Sequence, residues 1–295
     1  MPSLKDVQLK IQGVKKTKQI TKAMNMVATS RLRGAQGAMD GFRPYAEKFS
    51  EVLGSLAEKA GEEASPLLIP KEEVKKVHIV LCTSDRGLCG GFNINLTDTT
   101  GKFIQNNEIE GAEYSFTCFG KKGRDWSRKS GYTIADEHLG VVGGKIGFNV
   151  ASTAGKKLVD GFIDGDYDEV YIVFAEFISM AKQPPVIQKL LPIPPIEKEE
   201  EESESKEYLA EHICEPSPEE LLGDLLPRNV FVQIYRALLE TSTSEHAARM
   251  SAMDNATKAC NDMIDSLTLA YNKARQAAIT ADLMDIVGGA EALKG

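Results

Sequence analysis

Residues Ser244 to Gly295 read SEHAARMSAMDNATKACNDMIDSLTLAYNKARQAAITADLMDIVGGAEALKG. The run holds no proline, and no glycine before Gly288. Stepping from Met253 by three and four residues in turn visits Ala256, Cys260, Met263, Leu267, Ala270, Ala274, Ala277, Ala281 and Met284. Every one is apolar or small, which is a sustained heptad pattern. Asp254, Lys258, Asp262, Asp265, Lys273 and Arg275 fall off that line. The stretch therefore predicts one long helix with a single seam. A seam so rich in alanine lets two helix axes approach closely. It carries too little apolar area to fold alone, so the rest of the chain must supply a partner helix.

The partner is expected at the other end, from Leu4 to about Ala60. Leu4, Val7, Ile11 and Val14 follow the heptad rule, and so do Ala35, Ala38, Phe42, Tyr45, Phe49, Val52 and Leu56. Between them the apolar register shifts to Ile20, Met24 and Val27, so the seam reads as interrupted. Gly34, Gly37, Gly41 and Pro44 weaken this helix, since glycine costs ~1 kcal/mol and proline ~3 kcal/mol in a helix interior. Tertiary contact must hold it, or it breaks into two helices between Gly34 and Pro44. Over residues 1 to 48 its charge is lopsided: Lys5, Lys10, Lys15, Lys16, Lys18, Lys22, Arg31, Arg33, Arg43 and Lys48 stand against only Asp6, Asp40 and Glu47. That is either a solvated face or a surface for an acidic partner.

From Lys71 the pattern changes. Val77–Cys82, Ser115–Phe119, Val170–Phe177 and Pro185–Leu191 read as strands. About Asn93–Gln105, Lys121–Lys129 and Gly147–Phe162 read as helices. Alternating strands and helices indicate a Rossmann-like α/β insert with a mostly parallel sheet. Residues 197–211, EKEEEESESKEYLAE, are an acidic linker. From Ser217-Pro218-Glu219-Glu220 the helical pattern resumes and runs to about Val287. The expected organisation is an N-terminal coiled-coil helix in 1–70, an α/β domain in 71–211 and a C-terminal coiled-coil helix in 212–295. The two terminal helices pair antiparallel.

The chain has 295 residues, 42% hydrophobic and 26% charged, with a net charge of −8. That balance argues against a nucleic-acid binder. No apolar run approaches the ~20 residues needed to span a bilayer, and MPSLKDVQLK lacks a signal peptide's apolar core. The five cysteines are irregularly spaced without C-x-x-C, which indicates a reducing compartment and no zinc site. The four histidines are scattered, and no hydrolase or metalloprotease motif occurs. The turn Ser84-Asp85-Arg86-Gly87-Leu88-Cys89-Gly90-Gly91-Phe92-Asn93 sits where a phosphate loop would. It lacks the lysine and the glycine spacing such a loop requires, so a structural turn is expected, with Asp85 and Arg86 pairing across it. No catalytic constellation emerges.

Four separated stretches carry a family resemblance. They are Ile20-Thr21-Lys22-Ala23-Met24-Asn25-Met26-Val27-Ala28 with Arg43-Pro44-Tyr45-Ala46; the turn Ser84–Asn93; Ser244-Glu245-His246-Ala247-Ala248-Arg249-Met250; and Tyr271-Asn272-Lys273-Ala274-Arg275-Gln276 with Ile279-Thr280 and Gly289-Ala290. In this order they resemble the gamma subunit family of bacterial-type F-type ATP synthases, over essentially the whole chain. The resemblance also accounts for Pro44, which that family carries inside its first helix. One departure is Asp282, where the family usually has Glu.

The resemblance implies a central rotary shaft that couples ion flow through a membrane ring to conformational change at catalytic beta subunits. It implies no cofactor and no catalytic residue on this chain. The partners would be alpha and beta subunits, an epsilon subunit and a ring of c subunits. The chain would be peripheral, on the cytoplasmic face of the plasma membrane, and not a free homo-oligomer. Arg275, Gln276, Thr280 and Asp282 would face polar loops of alpha and beta. Lys15, Lys18 and Lys22 would meet acidic beta segments, with Met24 at the narrow passage. His212 and Glu215 would touch polar loops of the ring. The rival reading is a nucleotide-dependent α/β enzyme that dimerises through its terminal helices.

Overall fold

The computed structural model describes residues 4–60, 65–71, 73–106, 111–194 and 217–292. The elements run α1 (Leu4–Ala60), β1 (Lys76–Cys82), α2 (Phe92–Asn106), β2 (Glu113–Phe119), α3 (Lys121–Lys129), β3 (Thr133–His138), α4 (Phe148–Ile163), β4 (Glu169–Ala175), β5 (Pro185–Leu191) and α5 (Pro218–Ala292). The chain separates into a helical unit, Met1–Thr29 with Arg249–Gly295, and a sheet unit, Ser30–Ala248. Helix α1 is unbroken through Gly34, Gly37, Gly41 and Pro44, and α5 is unbroken through Pro227.

In the sheet unit the strand order is β3-β2-β1-β4-β5. β1 pairs parallel with both β2 and β4, and β3 joins parallel to β2. β5 alone is antiparallel, on β4. β1 is apolar nearly throughout (VHIVLC), and every residue after Lys76 is buried, as a central parallel strand requires. One face of the sheet packs Val80, Phe119, Ile172 and Leu190 against α4, α5 and part of α1. The other packs Ile79, Phe116 and Val173 against α2 and α3, with Trp126 and Tyr132 beside them. Gly155 of α4 meets α5 so closely that an added Cβ would lie 2.3 Å from Phe231 Cδ1. His78 lies within the sheet between Ser115 Oγ at 2.7 Å and Thr117 Oγ1 at 2.9 Å. Burial pushes its pKa down to about 4, against a weaker upward pull from Asp136.

The sequence does not predict β3. Its residues TIADEH alternate half-buried and exposed at the sheet edge, and the polar positions hide the strand. Asp136 and Glu137 pair there with Lys157, Arg124 and Arg128, charge of the kind that guards an open edge.

In the helical unit, α1 and α5 run antiparallel, because Thr21 meets Thr257 while the later Asn25 meets the earlier Met250. The α1 seam is not interrupted. Leu4, Val7, Ile11, Val14, Lys18, Thr21, Asn25 and Ala28 are all buried or half-buried at strict heptad spacing. Ile20 and Val27 are exposed by 59% and 55%, so they form a separate outward stripe and not a shifted seam. An apolar count skips Thr21 and Asn25, yet their polar groups find partners across the seam.

The α5 seam also differs in phase. It runs Met253, Thr257, Cys260, Ile264, Leu267, Tyr271, Ala274 and Ala278. Met263, Ala270, Ala277, Ala281 and Met284 face outward. The two phases share every second position. Ile264 and Tyr271 bury more apolar surface than an arrangement that turns Ala270 inward.

Candidate interaction surface

On the far part of α5 every residue from Ile279 to Ala290 is exposed. Antiparallel pairing places the first described turn of α1 level with about Ala274, so α5 runs on beyond it. Arg275, Gln276, Thr280 and Asp282 are all exposed on this stretch. The Thr280 hydroxyl donates to the Gln276 carbonyl at 2.9 Å. Its oxygen lone pairs then remain outward for an incoming donor. Ile279, Leu283, Met284, Ile286 and Val287 surround them, each more than half exposed. So large an apolar display next to polar groups is the composition of a contact surface.

The basic candidates on α1 divide by position. Lys15 and Lys22 are exposed, whereas Lys18 is half-buried on the seam. With Gln19 they line one groove, closed from α5 by Asn261, Ile264 and Asp265. Three ammonium groups therefore share a groove with a single carboxylate, and the excess is positive. Lys18 keeps its alkyl stem on the seam and its charge at the groove. Met24 lies half-buried beside the seam. Reading from the sequence missed the exposed stripe of Ile20 and Val27 as a separate surface. Its signal was there in their seven-residue spacing. His212 and Glu215 lie outside the described residues.

The glycine turn after β1 binds its own chain. Asp85 Oδ1 accepts from the backbone N–H of Lys121, the first residue of α3, at 3.1 Å. The same carboxylate accepts from Gly140 N–H at 3.0 Å. The next two α3 N–H groups are met by Ser84 O at 3.1 Å and Thr83 Oγ1 at 2.7 Å. The N-terminus of α3 is thus filled by a side-chain carboxylate and its neighbours. Ser84 and Asn93 close the turn from within, their side chains 2.8 Å apart. Among the described residues no group of three or more His, Cys, Asp or Glu is placed to hold a metal ion.

The whole-chain comparisons fit these two units. The ATP synthase family model matches residues 3–293. An ATP synthase gamma chain from Desulfosudis oleivorans is 69% identical, with 100% of each chain covered. One from Desulforapulum autotrophicum is 65% identical, covering 99% of this chain and all of that one. The chain belongs to the ATP synthase gamma chain family. The fold agrees as well: a chain in the Euglena gracilis mitochondrial ATP synthase structure titled OSCP/F1/c-ring, rotational state 3, superposes with a TM-score of 0.64. It is 19% identical and covers 98% of this chain and 94% of that one. Nothing in these gamma chain relatives supports the rival reading of a nucleotide-dependent enzyme. Among the described residues no helix is long and apolar enough to cross a membrane, in keeping with a gamma chain peripheral to a membrane-bound complex.

Proposed function

We propose that this gamma chain turns inside a ring of three alpha and three beta subunits, with its foot on a ring of c subunits and an epsilon subunit beside it. Its role is that of the central rotary shaft of an F-type ATP synthase. Catalysis belongs to other subunits, and this chain transmits conformational work. The observation that carries the reading is the antiparallel pair of terminal helices in a chain 69% identical to a gamma chain. The working parts are a helix within 1–70, an α/β body within 71–211 and a second helix within 212–295. The chain lies on the cytoplasmic face of the membrane, in the complex and not as a free homo-oligomer.

A turning part must not lock at one angle. A buried ion pair that loses its partner costs roughly 3–5 kcal/mol, so a bearing should avoid such pairs. The uncharged residues Ile286 to Ala290 suit a sliding contact. Arg275, Gln276, Thr280 and Asp282 make polar contacts to alpha and beta that break and re-form when hydrated. Asp282, one methylene shorter than the family's usual Glu, reaches less far. The groove of Lys15, Lys18 and Lys22 takes acidic beta segments, and Met24 sits at the narrow passage. By family position His212 and Glu215 are assigned to contact with the c ring.

Purification from native membranes tests the partners: co-elution with alpha and beta in a 3:3:1 pattern is expected (the family stoichiometry), and elution as a self-associated species would count against it. The site assignment has its own test in Arg275→Ala. The assembled variant should pump ions less per ATP hydrolysed, and unaltered pumping removes Arg275 from the contact set.

A further inference from the structure

The two flanks of α1 can act as contact surfaces only if the helix is held at one rotation about its own axis. Its seam is apolar at Val7, Ile11 and Val14 and again at Ala28. Between these lie three polar seam residues in succession, Lys18, Thr21 and Asn25. Each has a counterpart on α5. Thr21 Oγ1 lies 2.8 Å from Thr257 Oγ1. The Thr257 hydroxyl donates to the Met253 carbonyl at 2.8 Å, so its oxygen can accept from Thr21, whose one hydrogen is shared between this contact and the longer 3.1 Å contact to its own Lys18 carbonyl. Asn25 Nδ2 donates to the Met250 carbonyl at 2.8 Å. Lys18 shares its groove with Asn261. Thr21 is only 8% exposed, so the hydroxyl pair is largely shielded from water.

Apolar contact has no preferred direction, whereas a hydrogen bond does. Two helices packed only through small apolar side chains can roll against each other at little cost. Rolling here would break the Thr21–Thr257 contact, leaving each hydroxyl only the carbonyl of its own helix, and would take the Asn25 amide from its partner, a costly outcome for a part-buried hydrogen-bonding group. Lys22 follows Thr21 in the chain, and Met24 precedes Asn25. The bonds therefore sit one residue away from a group on each flank.

We propose that Thr21, Asn25 and Thr257 are positioning residues: their hydrogen bonds across the seam fix the rotation of α1, and so the directions in which Lys22 and Met24 meet the surrounding subunits. This rests on the shaft reading. It concerns transmission of work and not folding, because the same positions would pack well as apolar residues.

The test uses the assembled complex in membrane vesicles, with ATP hydrolysis and ATP-driven ion pumping measured together. Thr21→Val combined with Thr257→Val keeps the shape of both side chains and removes both hydroxyls. Hydrolysis should be retained while ions pumped per ATP fall severalfold, and melting of the isolated chain should be unchanged or higher. Thr21→Ser with Thr257→Ser keeps the hydroxyls and should pump as the parent does. Parent-level coupling in the double valine chain overturns the proposal. So does a proportional loss of hydrolysis and pumping, which marks a merely structural role, or a serine chain as uncoupled as the valine one. A parent complex that hydrolyses ATP but never pumps would overturn the shaft reading itself, and this inference with it.

Discussion

The sheet unit and the helical unit are built on opposite economies of surface. In the sheet unit Ile79, Val80, Leu81, Phe116 and Ile172 are wholly buried, and both faces of the sheet are covered. In the helical unit few described side chains fall below a tenth exposed: Val7, Thr21, Ala28, Met253 and Arg249. Large apolar residues there, such as Leu269 at 74% and Ile286 at 67%, face outward. The first unit has a core of its own, although Leu88, Ile94 and Ile163 stand exposed on it as well. The second has little core and leaves most of its described apolar side chains uncovered.

Breaking the contrast from the sheet side should give the largest effect. Gly120 has φ +96°, and an added Cβ would lie 2.2 Å from the Thr83 carbonyl oxygen. That neighbour is backbone and cannot step aside. Gly120→Val should therefore cost roughly 4 kcal/mol or more, the range of strained and overpacked sites. Denaturant unfolding followed by fluorescence of Trp126, the single tryptophan, reports on this unit alone. A midpoint equal to the parent's would refute the geometry.

Acid gives the next effect, again confined to the sheet unit. His78 is held neutral with a folded pKa of about 4 against an ordinary 6.5. The unfolded chain therefore binds the proton more readily, so stability rises with pH between these values. The contribution is complete above pH 6.5 and is lost as the pH falls toward 4, about 3 kcal/mol over that window. His78→Gln should flatten this part of the profile. A parent profile already flat between pH 6.5 and 4 would show that the ring is not shielded.

The smallest effects belong to the helical unit and sharpen its register. Ile264 is on the seam, while Met263 is 52% exposed. Ile264→Ala should cost about 1–2 kcal/mol, since the site is only half-buried, and Met263→Ala within about 0.5 kcal/mol. Hydrogen exchange over residues 250–278 would resolve the two. The reverse order would restore the seam phase read from the apolar count.

The same contrast explains what was legible in the sequence. β1, β2 and β4 were visible because buried strands are largely apolar, and β5, at the other edge, was visible through the apolar residues on either side of Gln188 and Lys189. β3 was not, because TIADEH carries three charged or titratable residues in six and no apolar run. Both long helices were legible end to end, including across Pro44, where the family resemblance and not propensity decided. The seam of α1 was misread at Ile20 and Val27 because hydrophobicity was taken as burial. Thr21 and Asn25 show that a residue can be inside through its hydrogen bonds. Arg275, Gln276, Thr280 and Asp282 came from the resemblance, and no local pattern in an exposed helix distinguishes a contact residue from a merely solvated one. The role of Asp85 was hidden for another reason: its partners, Lys121 and Gly140, are distant in the chain.

Among the described residues, Ile279 to Ala290 of α5 are all exposed. Gly288 and Gly289 weaken these turns, and isolated helical ends of this length are marginal in water. In the free polypeptide these turns should fray and wind up only when a surrounding socket receives them. Fixing each residue carries an entropy cost of roughly 1–2 kcal/mol. Insertion would then become the slow, discriminating step of assembly, and a socket of the wrong shape would be rejected before the complex is committed.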